Sequence, residues 1–183
     1  KIIISMIVAA GISAPLSFSF LLKDYQKTRI LTFLNPEADP LKGGWNVTQS
    51  MIAIGSGGFN GKGFLNSTQS KLRFLPEAHT DFIASVFLEE RGFVGGVILF
   101  VLYLFLIMQI LYVADTTEDK YGRLVCYGIG AIFFFHFVIN VGMTMGIMPV
   151  TGKPLLLMSY GGTSLLLSFV MLGIVQSVRI YRE

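Results

Sequence analysis

The sequence predicts an all-α integral membrane protein, a polytopic helical bundle with one large extracellular loop that contains interfacial helices. Three observations predict it. The 183 residues are 53% hydrophobic and only 14% charged, where soluble domains are about a quarter charged. Four runs without a single charge, at 2–22, 93–114, 124–145 and 155–178, are each long enough to span, since about 20 residues at 1.5 Å rise cross the hydrocarbon core. No run alternates apolar and polar residues as barrel strands do, so helices must satisfy the backbone within the bilayer.

Taken in order, the run 2–22 holds Pro15 and several serines and lacks the basic flank, short core and small-residue cleavage site of a signal peptide. The chain starts at Lys1 already inside this run, which gives the expectation of a piece of a longer protein. The run 93–114 has Gln109 as its one strongly polar residue. The run 124–145 carries His136 and Asn140, one turn apart on one face; polar groups at that depth turn inward, and helix–helix hydrogen bonding is their expected work. The run 155–178 has serines at 159, 164 and 168 and ends at Arg179.

The connections are unequal. Segments 115–123 and 146–154 are short, while 23–92 holds most of the charge. Lys120, Arg123, Arg179 and Arg182 place the 115–123 side in the cytoplasm, and loops beyond about 60 residues escape the positive-inside rule, so 23–92 is expected outside. Asn35-Pro36, Asp39-Pro40 and Gly43-Gly44 are turn signals in it. Residues 45–54 read as a short interfacial helix with Trp45 at the headgroup level, ended by the glycines at 55–58.

Several function classes drop out. A dispersed net charge of +3 with no basic run gives no nucleic-acid footprint. The single cysteine, Cys126, excludes an intrachain disulfide and most zinc sites. The glycines at 55–58 and 61–63 follow no strand and precede no Gly-Lys-Ser/Thr, so they read as a tight turn rather than a phosphate loop. Ser159 lies in no Gly-x-Ser-x-Gly elbow.

Chemistry concentrates between 71 and 82, Lys-Leu-Arg-Phe-Leu-Pro-Glu-Ala-His-Thr-Asp-Phe. Pro76 can open a helix, and one running to Arg91 and stopping at Gly92 would align Glu77, Asp81, Ser85 and Glu89 as a polar stripe facing water or a substrate. Asp81 is either a solvated acid near a helix N-terminus or a functional carboxylate beside Glu77. The helix dipole lowers such an acid's pKa, while burial and the neighbouring acid raise it. The first outcome suits metal binding, the second a general base, and the residues alone leave both open. His79, two positions from Asp81, would not share its face.

The motifs Asn35-Pro36, Gly44-Trp45-Asn46, Gln49-Ser50, Ile54-Gly55-Ser56-Gly57-Gly58, Gly61-Lys62-Gly63, Thr68-Gln69-Ser70, Phe74-Leu75-Pro76-Glu77-x-His79-Thr80-Asp81-Phe82, Asn140-x-Gly142-Met143, Pro149-Val150-Thr151-Gly152 and Ser159-Tyr160-Gly161-Gly162 run in order along nearly the whole chain. Together they resemble the SEDS (shape, elongation, division and sporulation) proteins, and the Thr-Gln-Ser wording resembles the elongation, or RodA, branch. One departure is Pro154-Leu155-Leu156 where the family has Pro-Leu-Pro, and Lys153 is also unusual there.

The resemblance implies the C-terminal half of a multi-pass protein of the bacterial cytoplasmic (inner) membrane. It implies a peptidoglycan glycosyltransferase that polymerises lipid II during cell-wall elongation. Implied partners are a class B penicillin-binding protein and other membrane proteins of the elongation complex. Asp81 matches the family's essential acid. Supporting or substrate-binding candidates are Glu77, His79, Thr80, Arg29, Gln49, Ser50, Lys62, Gln69, Ser70, Asn140 and Ser159. The leaving pyrophosphate needs positive charge, for which Arg29, Lys62, Lys71 and Arg73 are candidates, or a divalent cation (Mg2+ or Mn2+) on Asp81 and Glu77; no cofactor is strictly required. The alternatives are a lipid II flippase, which would need intramembrane charges that these four runs lack, and a passive scaffold.

Overall fold

The computed structural model describes residues 23–34, 43–68, 74–75 and 79–181. The run 2–22 and the residues Glu77, Gln69, Ser70, Lys71, Arg73 and Pro76 lie outside the described residues. Regular structure among those described is helical: α1 (Asp24–Leu34), α2 (Gly43–Gly57), α3 (Ile83–Thr116), α4 (Lys120–Thr144) and α5 (Gly162–Ile180). Helices α3, α4 and α5 are long and apolar enough to cross a membrane. The molecule is a polytopic helical membrane protein.

Helix α1 has no counterpart in the reading of the sequence, which left 23–34 as loop. Asp24 sits in its first turn, where the helix dipole favours an acid, and Gln26 Oε1 accepts from the Lys23 backbone N–H at 3.0 Å, half of a capping box. Helix α4 starts at Lys120, ahead of the expected 124, because Asp119 caps it: its carboxylate accepts from Tyr121 N at 3.2 Å and Gly122 N at 2.6 Å.

Two expected helix starts are displaced the other way. Residues 155–160 are apolar enough for a span, yet α5 begins only at Gly162. Leu157 has φ +67°, and Tyr103 of α3 donates its hydroxyl to Leu156 O, so this stretch is a packed connector. Likewise the helix expected from Pro76 begins at Ile83, and residues 79–82 form turns. It does break at Gly92, where φ +64° and ψ −162° interrupt α3. A continuous 34-residue helix would be about 51 Å long, against a hydrocarbon core of about 30 Å; the break sets residues 83–91 apart from the spanning part that follows.

Ile107, Ile110 and Ala114 of α3 pack on Cys126, Ile129 and Phe133 of α4 and on Val175 of α5. Phe93, Phe105, Leu166 and Phe169 are exposed, as side chains facing lipid would be. Lipid tails are as apolar as leucine, so such packing gains no hydrophobic drive, and close fit and buried hydrogen bonds carry the association. Those bonds concentrate at one end of the bundle, where α2, the 79–82 turn and the 145–161 connector meet.

Candidate active site

The turn His79-Thr80-Asp81 is held through its backbone, one carbonyl at a time. The Tyr160 backbone N–H donates to His79 O at 2.9 Å. The Ser159 hydroxyl donates to Thr80 O at 2.7 Å. The Asn140 side-chain amide donates to Asp81 O at 2.9 Å. Phe82 O then accepts from Ser85 N and starts α3. Consecutive carbonyls in a non-helical turn have no local partners, and at a bilayer boundary each unpaired one would cost a hydrogen bond's worth of desolvation. Residues distant in the chain supply the donors instead.

The same side chains hold the connector. Asn140 Nδ2 also donates to Lys153 O at 2.7 Å, His136 Nδ1 donates to Pro154 O at 3.1 Å, and Ser159 Oγ accepts from Leu155 N at 2.7 Å. His136 and Asn140 therefore tie their helix to two non-helical segments, where a helix–helix bond was expected. Asn140 is fully buried, and its Oδ1 has no partner among the described residues. Flipping the amide would set that oxygen against two carbonyls, which fixes its orientation. Asp81 is half-buried beside Gly152, and a Cβ on Gly152 would lie 3.3 Å from Asp81 Oδ2. Gly152 also has φ +68°, so two independent demands keep this position without a side chain.

Of the polar stripe expected to face water or a substrate, Ser85 and Glu89 turn inward, Asp81 lies in the turn ahead of the helix, and Glu77 lies outside the described residues. Ser85 and Glu89 share a face and are fully buried. Ser85 Oγ hydrogen-bonds Ser50 Oγ at 2.6 Å, and Ser50 donates to Thr144 O at 2.6 Å, so both hydroxyls pin α2 to α3 and α4. Glu89 was read as part of the stripe but not placed among the candidate site residues. Its carboxylate pairs with Lys62 Nζ at 2.7 Å and accepts from Ser67 Oγ at 2.9 Å, Thr68 N at 2.9 Å and Thr68 Oγ1 at 2.8 Å. Lys62, an expected pyrophosphate ligand, thus has its ammonium bound within the fold. Burial pushes the Glu89 carboxyl up, but Lys62, Thr68 and Ser67 outweigh it and lower it to about 2.

Glu89→Gln is expected to destabilise the full-length protein by about 3 kcal/mol at neutral pH, the low end for breaking a buried pair because Lys62 reaches solvent. Thermal unfolding in detergent checks it. The depressed carboxyl contributes stability above its ordinary value of 4.5 that disappears as pH falls toward 2. The wild type should therefore converge on the variant in acid, and a gap that is constant with pH contradicts this.

Of the remaining candidates, His79 is exposed, Thr80 is half-buried and Gln49 is buried on α2. Arg29 lies on α1, 5.8 Å over the Tyr25 ring. Among the described residues no three His, Cys, Asp or Glu side chains converge on a cation site. Asp81 is the described member of the metal pair considered from the sequence, and Glu77 lies outside.

The whole chain, residues 1–183, matches the model of the FtsW/RodA/SpoVE family, described as cell cycle proteins. It is 56% identical over 157 residues to the peptidoglycan glycosyltransferase RodA of Treponema pallidum, covering 86% of this chain and 36% of that one. It is 48% identical over 178 residues to the peptidoglycan glycosyltransferase MrdB of Escherichia coli K12, covering 97% of this chain and 48% of that one. A solved structure concerning the structural coordination of polymerization and crosslinking by a peptidoglycan synthase complex superposes with a TM-score of 0.78 at 34% identity, over 98% of this chain and 48% of that one. A mutant of the rod shape determining protein RodA of Thermus thermophilus matches with a TM-score of 0.55 at 40% identity, over 58% of this chain and 36% of that one. The chain spans about half the length of these relatives or less. Full-length coverage by the family model and this identity, on a bundle of the same shape, establish that the chain belongs to the FtsW/RodA/SpoVE family.

Proposed function

We propose that the whole protein containing this chain is a peptidoglycan glycosyltransferase of cell-wall elongation, acting on lipid II in the bacterial cytoplasmic membrane with the 23–92 loop on the outer side. Asp81 takes the proton from the 4-hydroxyl of the acceptor N-acetylglucosamine. That oxygen attacks the anomeric carbon of the donor N-acetylmuramic acid, a β-1,4 bond forms with inversion, and undecaprenyl pyrophosphate leaves. The observation that carries this reading is the backbone clamp on residues 79–81: it spends three long-range donors on presenting one half-buried carboxylate at the end of the bundle. A rigidly held base supplies about 10²–10⁴-fold, and the lipid-linked substrate accounts for chemistry at a bilayer boundary. The relatives' names and the synthase-complex neighbour support the activity and a crosslinking partner, a class B penicillin-binding protein.

The test uses purified full-length protein with labelled lipid II and a partner whose own chemistry is inactivated. Glycan ladders are expected. Translocation of lipid II without any ladder would replace this reading by a flippase, and neither activity would leave a scaffold.

A further inference from the structure

A leaving pyrophosphate carries charge that must be met near Asp81, and the described cations leave few to meet it. Lys62 is held by Glu89, Lys23, Lys27 and Arg29 lie on α1 or just before it, with Arg29 5.8 Å over the Tyr25 ring, and Arg91 lies over Phe64. Lys120, Arg123 and Arg179 belong to the opposite end of the bundle. Lys153 differs from all of these. Its carbonyl and that of Asp81 share one donor, Asn140 Nδ2, at 2.7 and 2.9 Å. A Cβ on the preceding Gly152 would lie 3.3 Å from Asp81 Oδ2, which puts this stretch of backbone beside the acid, and the Lys153 side chain itself is exposed.

The backbone that presents it is fixed. The residue before a proline is kept out of the helical region, and Lys153 precedes Pro154. The carbonyls of 153 and 154 and the N–H of 155 are each bonded to a side chain, from Asn140, His136 and Ser159. An exposed lysine on a mobile loop averages over many positions; this one departs from a backbone anchored beside the acid.

We propose that Lys153 binds the pyrophosphate of the polyprenyl-linked donor, so that Asn140 sets the general base and the leaving-group cation from a single amide. The inference rests on the glycosyltransferase reading. In the step, the bond from the anomeric carbon to the pyrophosphate oxygen breaks with its electron pair on that oxygen. The bond to the acceptor oxygen forms, and the proton passes to Asp81. The ammonium, a compact point charge, offsets the charge arriving on the departing oxygen.

The direct test is binding of undecaprenyl pyrophosphate to the full-length protein in nanodiscs, for wild type, Lys153→Gln and Lys153→Arg. Gln is expected to weaken binding about tenfold, Arg to restore most of it, and the melting temperature to stay put because the side chain is exposed. Equal affinities of wild type and Lys153→Gln overturn the proposal. The difference should persist when the nanodiscs are rich in phosphatidylglycerol; its loss there would assign Lys153 to lipid headgroups and also overturn it. Binding is read without turnover. An absence of glycan ladders from the wild type therefore counts against the glycosyltransferase, and an unchanged affinity counts against Lys153.

Discussion

Asp81→Asn in the full-length protein is expected to lower the rate of glycan polymerisation about 10²–10⁴-fold, the contribution of a positioned general base. The melting temperature should change little, because three long-range bonds that hold the turn run to the backbone carbonyls of 79–81, which the substitution leaves in place. Asn keeps the size of the side chain while removing its negative charge and its capacity to take a proton. Lipid II binding and association with the crosslinking partner should survive. A variant that polymerises at the wild-type rate removes Asp81 from the chemistry, and one that fails to fold shows that the carboxylate has a structural role.

Gly92→Ala is expected to cost about 4 kcal/mol or more, a loss that few single substitutions reach. At φ +64°, ψ −162° the backbone lies in territory that is essentially glycine's alone, worth about 1–3 kcal/mol of strain to any other residue. A Cβ there would also lie 2.3 Å from Gly61 N and 2.7 Å from Phe59 O, backbone atoms that cannot swing aside. Moving them would disturb the ladder in which Lys62 N donates to Glu89 O, Gly63 N to Glu90 O, Phe93 N to Gly58 O and Val94 N to Phe59 O, each bond worth roughly 0.5–1.5 kcal/mol. Gly128 on α4, where a Cβ would meet nothing within 4 Å, is the control. Gly128→Ala should be neutral or slightly stabilising, as alanine is in a helix. Equal melting temperatures for the two variants would contradict the argument.

What could be read without coordinates follows a physical division. Continuous apolar runs report burial in lipid, so the bodies of α3, α4 and α5 were visible as runs of hydrophobic residues. The run from 155 did not report its backbone: Leu155, Leu156 and Leu157 are as apolar as a span, yet their backbone serves Ser159 and Tyr103. Pro76 suggested a helix start by a local rule. The turn that displaces that start to Ile83 is set by donors 59 and 79 residues further along, at Asn140 and Ser159. No local pattern carries such information, although the family resemblance had already marked Asp81, Asn140 and Ser159.

Glu89 shows the same limit from the other side. Its spacing from Ser85 was legible, but the side it faces depends on Lys62, 27 residues earlier, and a free cation and a paired one look alike in sequence. Helix α1 did carry local signals, Asp24 in its first turn and Gln26 reaching back to Lys23, which the surrounding charges obscured.

The most direct measurement is the pH dependence of single-turnover glycosidic bond formation by the full-length protein, wild type against Asp81→Asn. The account predicts an acidic limb in the wild type, where protonation of Asp81 removes the base, and no such limb in the variant's residual rate. The same limb in both proteins would mean that another group takes the proton, and would contradict it.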